Sequence, residues 1–382
     1  MAAGEFHSIL LRSDGQAVAF GHNGGERSTV PYRPEGVTHV LAAASYMHGI
    51  LIQSDGRAVG FGHKGQGRSD VPQPDDGVSY VDAACGGQHS LLVRSDGSAV
   101  AIGDKRFGQC TIPKLPAGVT YMSAAAQSRH SVLLRSDGHA VAFGYNGSGQ
   151  CTVPKLPEDV TYVAASTGNA HTVLVRSDGA AIAFGDNEHG QCTVPELPES
   201  VAYVRAAAGF RHTVLIRSDG MAVAFGDNSC GQCDVPELPT PREIEYVAAS
   251  AGSEHTILVR SDGQAVAFGG NNFGQTNVPA LAEGLRYAIP SSESDMVITV
   301  HPSQLDTEEG KITCTSLSGV ELVTLPCPAG DLPVFLGVLR QMIARNLHMP
   351  VGRLKLVVED GTLLPSEKDA WPLPPLLASL SN

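Results

Sequence analysis

The chain has 382 residues, of which 42% are hydrophobic and 17% charged, with 43 glycines, 24 prolines and a formal charge of −13. That balance excludes a disordered chain, and the acidic excess argues against unspecific binding to nucleic acid or to anionic membrane. The opening Met1-Ala-Ala-Gly-Glu-Phe-His7 carries no signal-peptide pattern and no apolar run reaches membrane-spanning length, so a cytoplasmic or nuclear protein is expected.

A histidine returns on a fixed interval: His7, His48, His89, His130, His171, His212 and His255, five steps of 41 residues and a last one of 43. The text around it repeats as well. His130 to Pro154 reads HSVLLRSDGHAVAFGYNGSGQCTVP, and His171 to Pro195 reads HTVLVRSDGAAIAFGDNEHGQCTVP. A period near forty residues with strand-like runs marks units that cannot bury an apolar face alone and must pack on their neighbours.

The chain enters the first unit midway, with Ala2-Ala3-Gly4 standing where later units end their first strand. A complete unit such as the fourth predicts strands over 121–126, 130–135 and 140–143. Ser136-Asp137-Gly138 is a tight-turn signal between the last two. A fourth, irregular strand is expected through Cys151-Thr152-Val153-Pro154, confined to an edge by its proline. After the seventh unit, 286–290 followed by 296–300 makes an eighth half-unit able to pair with the first and close a ring. The expected fold is therefore all-β, a seven-bladed β-propeller of 41-residue repeats over residues 1–300, because radial closure protects sheet edges without the polar caps a solenoid needs.

Beyond residue 300 the repeat stops. A linker over 301–310 leads to a predicted hairpin (311–317 and 321–325), a helix over 331–347 with Phe335, Leu339, Ile343 and Leu347 on one face, and a strand from Arg353. This ββαβ order over 311–382 resembles a small α+β ubiquitin-like β-grasp. No Gly-Gly ends the sequence, and Trp371-Pro-Leu-Pro-Pro-Leu-Leu stands where a last strand belongs, so the grasp is expected to be incomplete.

The recurring H-S-x-x-L-x-x-D-G-x-x-x-x-F-G-x-N-x-x-G-Q resembles the repeat of the regulator of chromosome condensation family. That resemblance implies a propeller that works by binding. The family's founding member exchanges guanine nucleotide on a small GTPase through an inserted β-wedge, and the constant spacing here leaves no room for one. A plant photoreceptor of the same fold uses clustered tryptophans, whereas this chain has a single Trp371 outside the repeats. Ubiquitin ligases that carry such propellers add a catalytic domain for which the residues after 300 are too few.

A residue present in every unit serves what every unit needs. The seven histidines are accordingly read as structural, the Asp of each Ser-Asp-Gly as a turn residue, and the preceding Arg as its counter-charge. Cys110, Cys151, Cys192 and Cys233 share one repeat position, too far apart for disulfides, and are expected to be reduced thiols. Cys230 and Cys233 form a CxxC with no second pair to complete a metal site. No catalytic residue, metal or cofactor is assigned. Binding is expected where the units differ, in the loops before each histidine and after each third strand, which strand alternation puts on one face. Tyr46, Arg106, Phe107, Arg129, His189, Phe210, Arg211 and Phe273 are the candidates, since aromatic and arginine side chains anchor protein interfaces. The sequence reads as a monomeric, non-enzymatic protein-interaction scaffold, the alternative being a regulatory factor in small-GTPase or ubiquitin-ligase signalling.

Overall fold

A computed structural model describes residues 1–239 and 244–288 in full, and the backbone of five further strands between Met296 and Leu364. Two compact units divide at Ser292/Glu293. The first is a ring of seven three-stranded antiparallel sheets, one per repeat. The fourth blade shows the plan: Tyr121–Gln127, His130–Arg135 and Ala140–Gly144, with Gln127 opposite His130 and His130 opposite Gly144. First strands of neighbouring blades touch one another all the way round, so they are the innermost and line the axis.

The alternation of each middle strand explains why it is fully buried. In His130-Ser-Val-Leu-Leu-Arg135, Val132 and Leu134 face the fifth blade and Leu133 faces the third. Every seam holds one such apolar cluster, and Leu91, Leu133, Leu174 and Leu215 have no solvent exposure at all. Removing one such side chain from a close-packed seam costs about 2–5 kcal/mol. The turn at the opposite end depends on glycine: Gly138 adopts φ +79°, and a Cβ there would lie 2.3 Å from Thr161 Cγ2. The counter-charge of the turn aspartates is present as Arg–Asp pairs at Arg135–Asp137, Arg176–Asp178 and Arg217–Asp219, whereas Arg94 turns to Asp75 at 3.2 Å. These pairs are solvent-exposed and contribute little to stability.

The seven histidines are completely buried, and six of them tie neighbouring blades together. Each Nε2–H donates across a seam to the hydroxyl that follows the next blade's histidine: His48 to Ser90 at 2.7 Å, His89 to Ser131 at 2.8 Å, and His130 to Thr172, His171 to Thr213, His212 to Thr256 and His255 to Ser8 at 3.0 Å. Each hydroxyl donates its own O–H to a loop carbonyl, for example Thr172 to the Gln150 oxygen at 2.8 Å, which fixes the direction of the imidazole bond. One link is missing. Gly49 occupies the hydroxyl position in the second blade, and the Phe61 ring fills its side-chain space, with Cζ 2.6 Å from where a Cβ would stand. Neither ring nitrogen of His7 finds a partner among the described residues. Arg27 crosses this seam, its Nη1 donating to the Tyr46 carbonyl at 2.9 Å, as Arg68 crosses the next seam to the Gly87 carbonyl at 3.2 Å beside an intact histidine bond.

The ring closes on a strand shared by both ends of the propeller. Ala2 and Ala3 pair with Ile9 and Ser8, while Tyr287 bridges Arg12 and the Ala288 N–H donates to the Leu11 carbonyl at 2.7 Å. Together 287–288 and 2–3 make the first strand of the first blade. Among the described residues, the eighth half-unit contributes 286–288 to closure. Met296–Val300, expected to continue in the ring, pairs instead within the second unit, because Ala2–Ala3 already fill the remaining edge. The fourth strand expected at 151–154 is also absent: Val153 N–H closes back on the Cys151 carbonyl at 3.1 Å, and Pro154 has no N–H to donate.

The second unit is a five-stranded mixed sheet in the order Glu321–Pro326, Lys311–Ser316, Met296–Val300, Leu354–Val357, Leu363–Leu364. Its hairpin has the expected antiparallel register, with Cys314 opposite Val323. Met296–Val300 lies at the centre, antiparallel to one neighbour and parallel to the other. The linker over 301–310, the helix over 331–347 and the Trp371 stretch lie outside the described residues. No helix among the described residues is long and apolar enough to cross a membrane.

Burial pushes the imidazoles of His7, His48, His130 and His212 down to about 3, and those of His89, His171 and His255 to about 4, from an unfolded value of 6.5. Below pH 6.5 the unfolded chain therefore takes up protons that the folded chain refuses. Stability is complete above that pH and falls as pH drops toward 4, by up to about 1.4 kcal/mol per pH unit for each histidine. Circular dichroism is expected to show cooperative unfolding between about pH 5 and 4, with uptake of several protons; a chain still native at pH 4 would contradict this. At the seam lacking its histidine bond, Arg27→Gln is expected to lower the stability measured by urea unfolding by about 1–3 kcal/mol. Arg68→Gln, at a seam that keeps the His48–Ser90 bond, should cost less; equal losses would refute the bridging role of Arg27.

Candidate functional site

The loop before each histidine runs over the mouth of the axial channel. Its glycine sits directly on the imidazole: a Cβ on Gly86 would lie 2.0 Å from His89 Cε1, and Gly4, Gly168, Gly209 and Gly252 are similarly placed. The next residue of each loop then lines the axis, so every blade contributes one residue to a common rim: Glu5, Tyr46, Gly87, Ser128, Asn169, Phe210 and Ser253. Neighbouring loops are joined by backbone bonds, among them Gly87 N–H to the Ser128 carbonyl at 2.9 Å and Phe210 N–H to the Gly252 carbonyl at 3.0 Å. The rim encloses a cavity of about 280 Å³. In the second and fourth blades the loop glycine is replaced by Ser45 and Gln127, and Ser45 Oγ donates to Gln127 Oε1 at 3.0 Å past the intervening blade.

The electrostatics of the rim are uneven. One carboxylate oxygen of Glu5 is shielded from solvent without a hydrogen-bond partner among the described residues. Burial pushes the Glu5 carboxyl up to about 7; Arg27 pulls it down and Glu254 adds to the rise. Asp104 differs: Arg106 grips it with Nε at 3.0 Å from Oδ1 and Nη2 at 2.9 Å from Oδ2, which holds that carboxyl below its ordinary range. The four repeat cysteines are poor nucleophiles. Burial raises Cys110 and Cys151 to about 11 and Cys192 and Cys233 to about 12, and Cys110 Sγ donates to the Asp104 carbonyl at 3.1 Å.

Of the eight sequence candidates, Tyr46, Arg129 and Phe210 line this cavity. The others lie around it in the loops of the same face. The Arg129 guanidinium covers the Phe107 ring at 4.8 Å, and that ring meets Tyr145 edge-on at 5.5 Å. Arg211 covers Phe210 at 5.5 Å. Phe273 is 45% exposed and packs against Phe6 at 5.2 Å and His22 at 4.7 Å. Arg106 reaches Gln88 as well as Asp104, and His189 is exposed on the fifth blade with its N–H bound to Gln191 Oε1 at 2.9 Å. Sequence reasoning missed Glu5, Phe6, His22 and Tyr145. Glu5 was legible in principle, because positions 5, 46, 87, 128, 169 and 210 are separated by the same 41 residues.

Residues 160–191, 204–232 and 246–275 match the regulator of chromosome condensation (RCC1) repeat. No curated protein matches the chain. Among solved structures, Prp20p of Saccharomyces cerevisiae, described with its binding properties to Gsp1p and histones, superposes with a TM-score of 0.54 at 17% identity, over 66% of this chain and 77% of that one. Human WBSCR16 gives 0.57 at 16% identity over 68% and 86%, and the ectodomain of the Physcomitrella patens receptor kinase CR4 gives 0.54 at 16% over 74% of each. At such identities the superpositions speak for the fold. Matched repeats, ring and superpositions agree: the chain is an RCC1-like repeat β-propeller.

Proposed function

We propose that this propeller is a non-catalytic scaffold that binds a protein partner on its loop face. The observation that carries the reading is the contrast between the two ends of each blade. At the turn end the Ser-Asp-Gly text is repeated unit after unit, whereas the loop face carries different residues on each blade, among them Tyr46, Phe107, Phe210, Phe273, Arg106, Arg129 and Arg211. Several of these are held in place by stacking, as Arg129 is on Phe107, so ordering them on contact costs little conformational entropy. Aromatic and arginine side chains already fixed on a rigid frame are the groups that dominate interface energetics. Prp20p, a propeller of the same fold, is described with binding to Gsp1p and histones, in keeping with a protein-binding role for such a ring. The narrower alternative, regulation in small-GTPase or ubiquitin-ligase signalling, depends on which partner is captured.

The test is affinity capture from native lysate with the full-length chain, comparing wild type with a Phe107→Ala, Arg129→Glu, Arg211→Glu variant and with a turn-face control, Arg176→Glu. A stoichiometric partner is expected on the wild type and the control and lost from the loop-face variant, since a central anchor removed costs about 2 kcal/mol or more. Retention by the loop-face variant, or loss from the control alone, would move the interface off this face.

A further inference from the structure

We propose that the axial cavity on the loop face receives a basic side chain, lysine or arginine, of the partner protein; this deepens the scaffold reading and rests on it. Three features of the rim point to a cation. Glu5 lines the cavity, and one of its carboxylate oxygens, shielded from solvent, has no hydrogen-bond partner among the described residues, so the group is left under-satisfied beside a space a donor could enter. Tyr46 walls the same cavity, and an aromatic ring attracts a cation as well as the alkyl stem that carries it, while the Phe210 ring on the wall is already covered by Arg211 and adds apolar surface for the stem. The remaining lining side chains include Asn169, Ser128 and Ser253, which offer neutral acceptors to the spare N–H groups of an ammonium or guanidinium.

The cations already present do not satisfy Glu5. Arg27 lies close enough to lower its pKa, but its Nε and Nη1 donate to the carbonyls of Gly24 and Tyr46, and no ion pair joins it to Glu5 among the described residues. Arg129 also lines the cavity, with its guanidinium laid over the Phe107 ring. Glu254, on the adjacent blade, raises the Glu5 carboxyl further, so an arriving positive charge meets two carboxylates and one arginine at this side of the rim. A volume of about 280 Å³ suits one long side chain and is too small for a larger element. Burial, with Glu254 adding to it, holds the Glu5 carboxyl up at about 7 against the pull of Arg27, so a further cation beside it would be favoured.

The experiment uses the full-length chain with Nα-acetyl-lysine methylamide as probe and its Nε-acetylated form as the uncharged control. Binding and the Glu5 carboxyl titration are followed by carbon NMR. The charged probe is expected to bind saturably and to move the Glu5 midpoint down from about 7, while the acetylated probe does neither. Glu5→Gln should weaken binding at least about tenfold, and Tyr46→Ala, at an exposed position on the wall, should weaken it without touching the carboxylate. Heat unfolding of both variants confirms that the ring is intact. Equal behaviour of the two probes, no saturable binding, or unchanged affinity in folded Glu5→Gln would overturn the proposal. The second arm adds the charged probe to the complex captured on the loop face. Release of the partner is expected; a probe that binds without releasing it would assign the cavity to a free amine and overturn the partner side chain. A partner retained by Glu5→Gln but lost from the Phe107, Arg129, Arg211 variant would leave the scaffold reading standing while this inference fails.

Discussion

Each blade depends on an imidazole kept neutral by its neighbours. With no water available, the Nε2–H must find an acceptor across the seam, and the hydroxyl that accepts it must in turn donate to a loop carbonyl. Six of the seven seams carry this relay, and all the donors point the same way round the ring. The same histidine supports the loop above it, because in five blades the glycine three residues earlier packs directly against the imidazole. One side chain thus sets both the spacing of blades and the path of the loops that border the axis.

That dual role explains how a repetitive protein can carry a non-repetitive surface. The backbone of the mouth loops is fixed by the histidine, by glycine in five of the seven, and by bonds between adjacent loops, so the following residue is free to change without disturbing the frame. Glu5, Tyr46 and Asn169 occupy equivalent places and share no chemistry. Variation at this level alters what the rim recognises and leaves the seams alone. Where the seam itself varies, at Gly49, Phe61 fills the apolar space, and the crossing donor Arg27, matched by Arg68 at the next seam, remains as the polar link.

The ring was largely legible in the residues, since a strict period fixes the unit and its count, and local turn glycines fix the strand ends. What was not legible follows from non-local competition. Met296-Val-Ile-Thr-Val300 has the same apolar character as any interior strand, and its place is decided by whether an edge in the first blade is still open. Ala2 and Ala3 close that edge from the far end of the chain, a fact no local pattern contains. The Cys151–Pro154 run looked like a strand by composition, but its backbone donors turn inward or are missing. Within the site, residue types were readable and their convergence was not: Glu5 and Phe210 lie far apart along the chain and meet only because every blade aims the same loop position at the axis.

The shared strand of the first blade has a consequence for synthesis. Six blades have all their strands as soon as their own residues emerge from the ribosome, but the first must wait for Tyr287 and Ala288, made almost last of the ring. Until then the nascent protein is an open arc with two unprotected flanks, the hydrophobic sides of Leu10 and Ile257 that later cover each other. Such an arc is the form most exposed to aggregation and to capture by chaperones, and to pairing with the flank of another unfinished copy. More chain follows Ala288, so the closing residues clear the ribosome while translation is still under way, and the ring can shut before the nascent chain is released.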